Sequence, residues 1–142
     1  MSTIKHSRDT TLNSSSKTIL TCPAASLCEV LQIHVDFTST ATVGNRLITM
    51  EIYDDTNTLV SDYYAGALQA ASLDHHYLFA QGIYRETTFV NGELQCPFPF
   101  ETILLPGWYC KIADSNAVDA AADDMITNII YRQGNLSEVD EV

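Results

Sequence analysis

Leu31, Ile33, Val35 and Phe37 alternate with Gln32, His34 and Asp36, a period of two that predicts a strand with one buried and one wet face. The run 47–53, entered through the turn pair Gly44-Asn45, repeats the pattern with Ile48, Met50 and Ile52 opposed to Thr49 and Glu51. Asp54-Asp55-Thr56-Asn57 is turn chemistry, because short Asx side chains bond their own backbone, and it predicts a hairpin that returns through residues 58–64. Residues 65–72 are ambiguous: their alanines permit a short helix, whereas Gly66 and the brevity of the segment fit a connecting turn or an irregular strand. Tyr77 and Phe79 share a parity within residues 73–80, and Asn91-Gly92 predicts a second hairpin that joins residues 84–90 to 93–96.

Pro97-Phe98-Pro99 cannot donate to a central ladder and belongs at a sheet edge or at a crossing between sheets. A strand over residues 100–105 is ended by Pro106-Gly107, and Trp108, Cys110 and Ile112 then share an inward parity that makes Trp108 the expected centre of the core. Residues 114–124, DSNAVDAAADD, read as a long loop or a single helical turn between Asx caps, and residues 125–132 close the domain as a last strand. About eight strands at short spacing with almost no helix predict an all-β fold, a β-sandwich or jelly roll.

The chain of 142 residues with 46 % apolar content suits one domain with one substantial core. No apolar run approaches the ~20 residues of a membrane-spanning helix, and the amino terminus lacks the apolar core of a secretory signal, so neither membrane insertion nor export is expected. A net charge of −11 argues against general nucleic-acid binding. The charge divides unevenly. Residues 1–17 (MSTIKHSRDTTLNSSSK) hold Lys5, Arg8 and Lys17 against Asp9, a net of +2, which leaves −13 for the remainder. With only Ile4 and Leu12 as aliphatic anchors, this segment cannot offset the entropy of ordering by itself. The predicted organisation is a flexible or partner-ordered N-terminal arm (1–17), a β-sandwich domain (18–134) and an acidic C-terminal tail (135–142).

Candidate chemistry is sparse. Cys22, Cys28, Cys96 and Cys110 are expected as buried free thiols, since Cys22 and Cys28 are too far apart, with Pro23 between them, for paired zinc ligands, and no base or cationic setting accompanies the others. His34 falls on the polar face of its strand, and the adjacent His75 and His76 point to opposite faces, so these two do not chelate one ion. Asp114, Asp119, Asp123 and Asp124 form the most specific-looking cluster, but their spacing is not that of an EF-hand, and a solvated loop with Asp123 or Asp124 bonding backbone is expected. Tyr53, Tyr63, Tyr64, Tyr77, Tyr84, Tyr109 and Trp108 fit core and interface positions or a sugar-stacking platform. The sequence has no nucleophile-elbow or phosphate-loop pattern, and no catalytic, cofactor or metal residues are assigned.

The segment FTSTATVGNRLITMEIYDDTNTLVSDYYAG and the later LLPGWYCKIADSNAVDAAADDM resemble small structural proteins of tailed bacteriophages, over roughly residues 30–131. The resemblance implies a virion component of β-sandwich or jelly-roll type and transfers no role to an individual residue. It leads to the expectation of a non-enzymatic capsid decoration or cement protein, a homo-oligomer bound to the major capsid protein or other virion subunits. Such a protein would sit on the outer capsid surface of a virion assembled in the host cytoplasm, without nucleic-acid or membrane contacts. Two alternatives remain at this point: a tail, fibre or baseplate module that binds a host glycan through exposed tyrosines, with calcium in the 114–124 loop, and a neck or head-completion protein.

Overall fold

A computed structural model describes residues 2–136. Ten strands follow in chain order: β1 (Thr3–Asp9), β2 (Ser16–Thr21), β3 (Ser26–Thr38), β4 (Ile48–Tyr53), β5 (Leu59–Tyr64), β6 (Asp74–Ala80), β7 (Glu93–Pro97), β8 (Ile103–Leu104), β9 (Tyr109–Asp114) and β10 (Asp124–Asn135). One sheet has the order β1-β10-β3-β6-β7, with β8 beside β3; the other has the order β2-β9-β4-β5. The protein is a β-sandwich. Four antiparallel pairs, β1 with β10, β2 with β9, β3 with β6 and β4 with β5, nest from the chain ends inward. Rolling this double ribbon over itself sets β10 beside β3 in one sheet and β9 beside β4 in the other. That is the strand order of a jelly roll, and β7 and β8 are additions between β6 and β9.

The core lies between the sheets. Ile33, Val35, Phe37, Tyr77, Phe79, Met125 and Ile129 come from the larger sheet, and Ile48, Met50, Ile52, Cys110 and Ile112 from the smaller. The alternation that defines β3, β4 and β6 in the sequence is therefore the burial pattern of the folded strands. Within β3, Leu31 departs from it. The register of β3 against β10 steps from Gln32↔Ile130 to Val30↔Tyr131, so Leu31 is an extra residue in a bulge and only half-buried. Beyond the bulge the parity changes, and Val30 and Cys28 take the inward positions instead.

Other expectations need correction. Asn91 and Gly92 form the anticipated tight turn, both at positive φ (52° and 75°), and Val90 bridges Glu93. No second hairpin strand forms over residues 84–90, however. That segment is a loop, and β7 pairs in parallel with β6. The parallel partner wins because it seats Leu94 and Cys96 in the core beside Tyr77 and Phe79. The strand over 100–105 shortens to Ile103–Leu104, and Trp108 sits at the core margin rather than at its centre. Residues 65–72 are irregular, tied down by the Arg46↔Gln69 bridge, and residues 115–123 are a run of turns.

Residues 3–9 of the predicted arm lie along β10 as β1, exposed over nearly their whole length. Ser16 and Lys17 already belong to β2, and Ser15 and Lys17 are buried. The Lys17 ammonium reaches the Asp9 carboxylate at 2.9 Å, which ties the two strands together. Of the predicted tail, residues 137–142 lie outside the described residues.

Candidate functional site

The acidic loop before β10 is the first candidate, and each of its carboxylates already has donors. Asp123 is fully buried and takes two bonds from the equally buried Arg46 guanidinium, from Nε at 3.0 Å and Nη2 at 3.2 Å. It also accepts the Thr40 amide at 2.8 Å. Arg46 Nη1 donates to the carbonyls of Thr42 and Gly44, so its fork is satisfied on both sides. Asp114 accepts the amides of Leu47, Asn116 and Val118, and Asp119 accepts the hydroxyls of Thr40 and Thr42, bonds that hold its carboxyl below the ordinary range. Asp124 accepts the Asn13 amide. The four groups do not converge on one point. Asp119 and Asp123 latch the 114–124 loop onto the 38–46 segment, Asp114 ties it to Leu47, and Asp124 ties it to Asn13; Asp123 bonds backbone as expected from the sequence, but it and Asp114 are buried rather than solvated. Arg46 of the VGNR stretch and Asp123 of AADDM are thus two halves of one buried clamp.

The four cysteines are free and buried. Burial raises all four thiols, Cys28 and Cys96 to about 12. Such thiols are neutral small apolar groups at neutral pH rather than nucleophiles. The tyrosines divide as their parity dictates. Tyr77 is in the core, where its hydroxyl donates to Gln69 at 2.7 Å. On the outer face of the smaller sheet Tyr53 stacks on Tyr109, with ring centroids 5.0 Å apart, and Lys111 lies over the Tyr53 ring. Tyr84 projects from the 81–92 loop, 90 % exposed.

A second cluster lies on the outer face of the larger sheet. Asp36 on β3 is directly opposite His76 on β6, His34 is one step along β3, and Asp74 one step along β6. All four side chains therefore share the outward face. His76 Nδ1 lies 3.3 Å from His34 Nε2, and His76 Nε2 lies 3.8 Å from Asp36 Oδ1. Ligand-type atoms of Asp36, Asp74 and His76 lie within 4.8 Å of one another. Asp36 Oδ1 is buried without a hydrogen-bond partner. Burial, and next the Asp74 carboxyl beside it, push Asp36 up to about 6, against the pull of His76. A groove of about 470 Å³ opens next to the histidines, lined by Gln32, Leu78, Glu86 and Glu93 among others. His75 points the other way, against the Phe89 ring, as its adjacency to His76 requires.

Sequence reasoning placed His34 on a polar face and separated His75 from His76, but did not bring His34 and His76 together, because they are 42 residues apart and only strand pairing joins them. One signal was legible: His34-x-Asp36 and Asp74-x-His76 are mirrored dyads at strand spacing.

No protein-family model and no curated protein sequence matches the chain. Among solved structures, it is similar to an exo-beta-agarase, with 8 % identity and a TM-score of 0.37 over 93 % of this chain and 22 % of that one. It is also similar to the cyanophage Pam1 capsid asymmetric unit, with 13 % identity and a TM-score of 0.34 over 94 % of this chain and 83 % of that one. A third likeness is to the infectious bursal disease virus VP2 subviral particle, with 13 % identity and a TM-score of 0.33, where the chain spans 32 % of its counterpart. The chain thus covers about a fifth to a third of the agarase and VP2 chains. Scores this low carry no argument about activity or partners.

Proposed function

We propose that this chain is a non-enzymatic structural protein of a virion, a decoration or cement protein on the outer face of a capsid shell. The observation that carries the reading is β1: seven residues, exposed along nearly their whole length, end the larger sheet with one edge on β10 and the other free among the described residues. A free edge offers a row of backbone donors and acceptors to a strand of a neighbouring subunit. Lys5 and Arg8 on that strand contrast with the −13 of the chain beyond residue 17, so the edge is the part whose charge favours an acidic partner surface. The jelly-roll order supports the reading as fold-level analogy, since capsid domains are among the proteins built this way. In this reading the partners are the major capsid protein or other virion subunits, and the protein is a symmetric homo-oligomer assembled in the host cytoplasm.

The test removes β1 without disturbing the body. A deletion through Lys17 would take part of β2 and the buried Ser15 and Lys17, and a deletion through Asp9 would leave the Lys17 ammonium buried without its counter-ion. Deletion of residues 2–8 avoids both. The truncated chain is expected to keep its β-rich circular dichroism and to bind particles assembled without it about tenfold more weakly or worse. Occupancy equal to the full chain overturns the role of β1. A glycan-binding tail module is the second reading, favoured by the outward Tyr53-Tyr109 stack, and jelly rolls also build lectins. Saturable binding on a glycan array, lost in Tyr109→Ala, would select it. Copy number per particle separates a decoration protein from a neck or head-completion protein, whose ring symmetry limits it to about a dozen.

A further inference from the structure

We propose that Asp36, Asp74 and His76 form a site for a divalent transition-metal ion on the outer face of the larger sheet, with His34 as the residue that orients His76. Three observations converge on it. The three ligand-type atoms lie within 4.8 Å of one another, close enough to share one ion. Asp36 Oδ1 is buried and lacks a hydrogen-bond donor, and a cation would satisfy it directly. His76 is oriented to ligate: Nδ1 faces His34 Nε2 at 3.3 Å, and Nε2 faces the Asp36 carboxylate. In the tautomer that has His76 Nδ1 donating to His34, the lone pair of Nε2 is directed toward the carboxylates. A hydrogen bond to the second ring nitrogen is the usual companion of a metal-binding imidazole.

The acidic loop supplies the contrast. Its four carboxylates accept amide, hydroxyl or guanidinium donors from separate segments, whereas Asp36 and Asp74 are diagonal neighbours on the same face of adjacent strands. Two like charges held side by side on a rigid sheet are unfavourable alone, and a divalent cation between them removes the repulsion. One imidazole with two carboxylates is a donor set for zinc and its first-row neighbours rather than for calcium, which takes more oxygen ligands. The half-exposed setting leaves the remaining coordination positions open to water.

The test uses the isolated full chain after exhaustive chelation, so its outcome is independent of any role in a virion. Calorimetric titration with zinc chloride is expected to show one saturable site and a raised unfolding midpoint. Asp74 is exposed, so Asp74→Asn leaves the core intact; this variant and His76→Asn are expected to weaken binding by at least about tenfold. His34→Gln is expected to weaken it by about 10- to 100-fold, as loss of an orienting partner does. His6→Asn, an exposed histidine on β1, is expected to bind as the unaltered chain does. Absence of saturable binding overturns the proposal, as does unchanged affinity in both Asp74→Asn and His76→Asn. A thiolate charge-transfer band with cobalt(II) would place the ion on cysteine and overturn it equally.

Discussion

Arg46 and Asp123 show how far one pair of residues can carry a loop. Both are fully buried, and the guanidinium spends its donors on Asp123 and on the carbonyls of Thr42 and Gly44. Arg46→Met leaves a carboxylate in the interior with no counter-ion, so it is expected to destabilise the fold by about 3–5 kcal/mol, read from urea denaturation. At the surface, Asp9 is held below the ordinary carboxylate range, first by the Thr11 amide and next by Lys17. A depressed folded value means that its contribution is complete above the ordinary range and is lost as pH falls through the lower folded value. Asp9→Asn is therefore expected to flatten the fall in stability below about pH 4, measured by denaturation across pH. The four buried thiols are expected to resist Ellman's reagent in the native protein and to react fully once it is denatured. Burial of these cysteines was legible because neither zinc-pair spacing nor an activating base accompanies them; the Arg46-Asp123 clamp was not, because nothing local to either residue names the other.

At the scale of the element, period-two patterns located β3, β4 and β6, and Asx chemistry located the β4-β5 turn, where Asp54 Oδ1 accepts the amides of Thr56 and Thr58. Patterning failed where a strand is held by one neighbour or by few residues. Residues 84–90 have strand-like composition, yet their edge is occupied in another way: Glu86 exchanges bonds with Gln95, and Arg85 donates to the Tyr64 carbonyl. The loop presses so closely on Gly66 that a Cβ there would overlap the Glu86 carbonyl oxygen. Gly66→Ala is expected to lift the loop and destabilise the protein by about 1–3 kcal/mol, with earlier cleavage by trypsin at Arg85 in limited proteolysis. β1 also escaped patterning. Its seven residues bury almost nothing, and their order derives from the β10 ladder rather than from an apolar face.

For the molecule as a whole, the local alternation of apolar and polar residues determined that this is an all-β chain with one core, because a strand's two faces are written in its own sequence. It also determined the charge contrast between the first 17 residues and the rest. The tertiary structure decided which strands are neighbours: the nested pairs of the jelly roll join β1 to β10 and β2 to β9, across nearly the whole chain. Period-two alternation carries no record of pairing partner, so the roll, the parallel β7 and the bulge at Leu31 required the folded chain. The same holds for chemistry. His34-x-Asp36 and Asp74-x-His76 are each ordinary dyads on separate strands, and only the β3-β6 register turns them into one cluster with a buried, unsatisfied carboxylate oxygen.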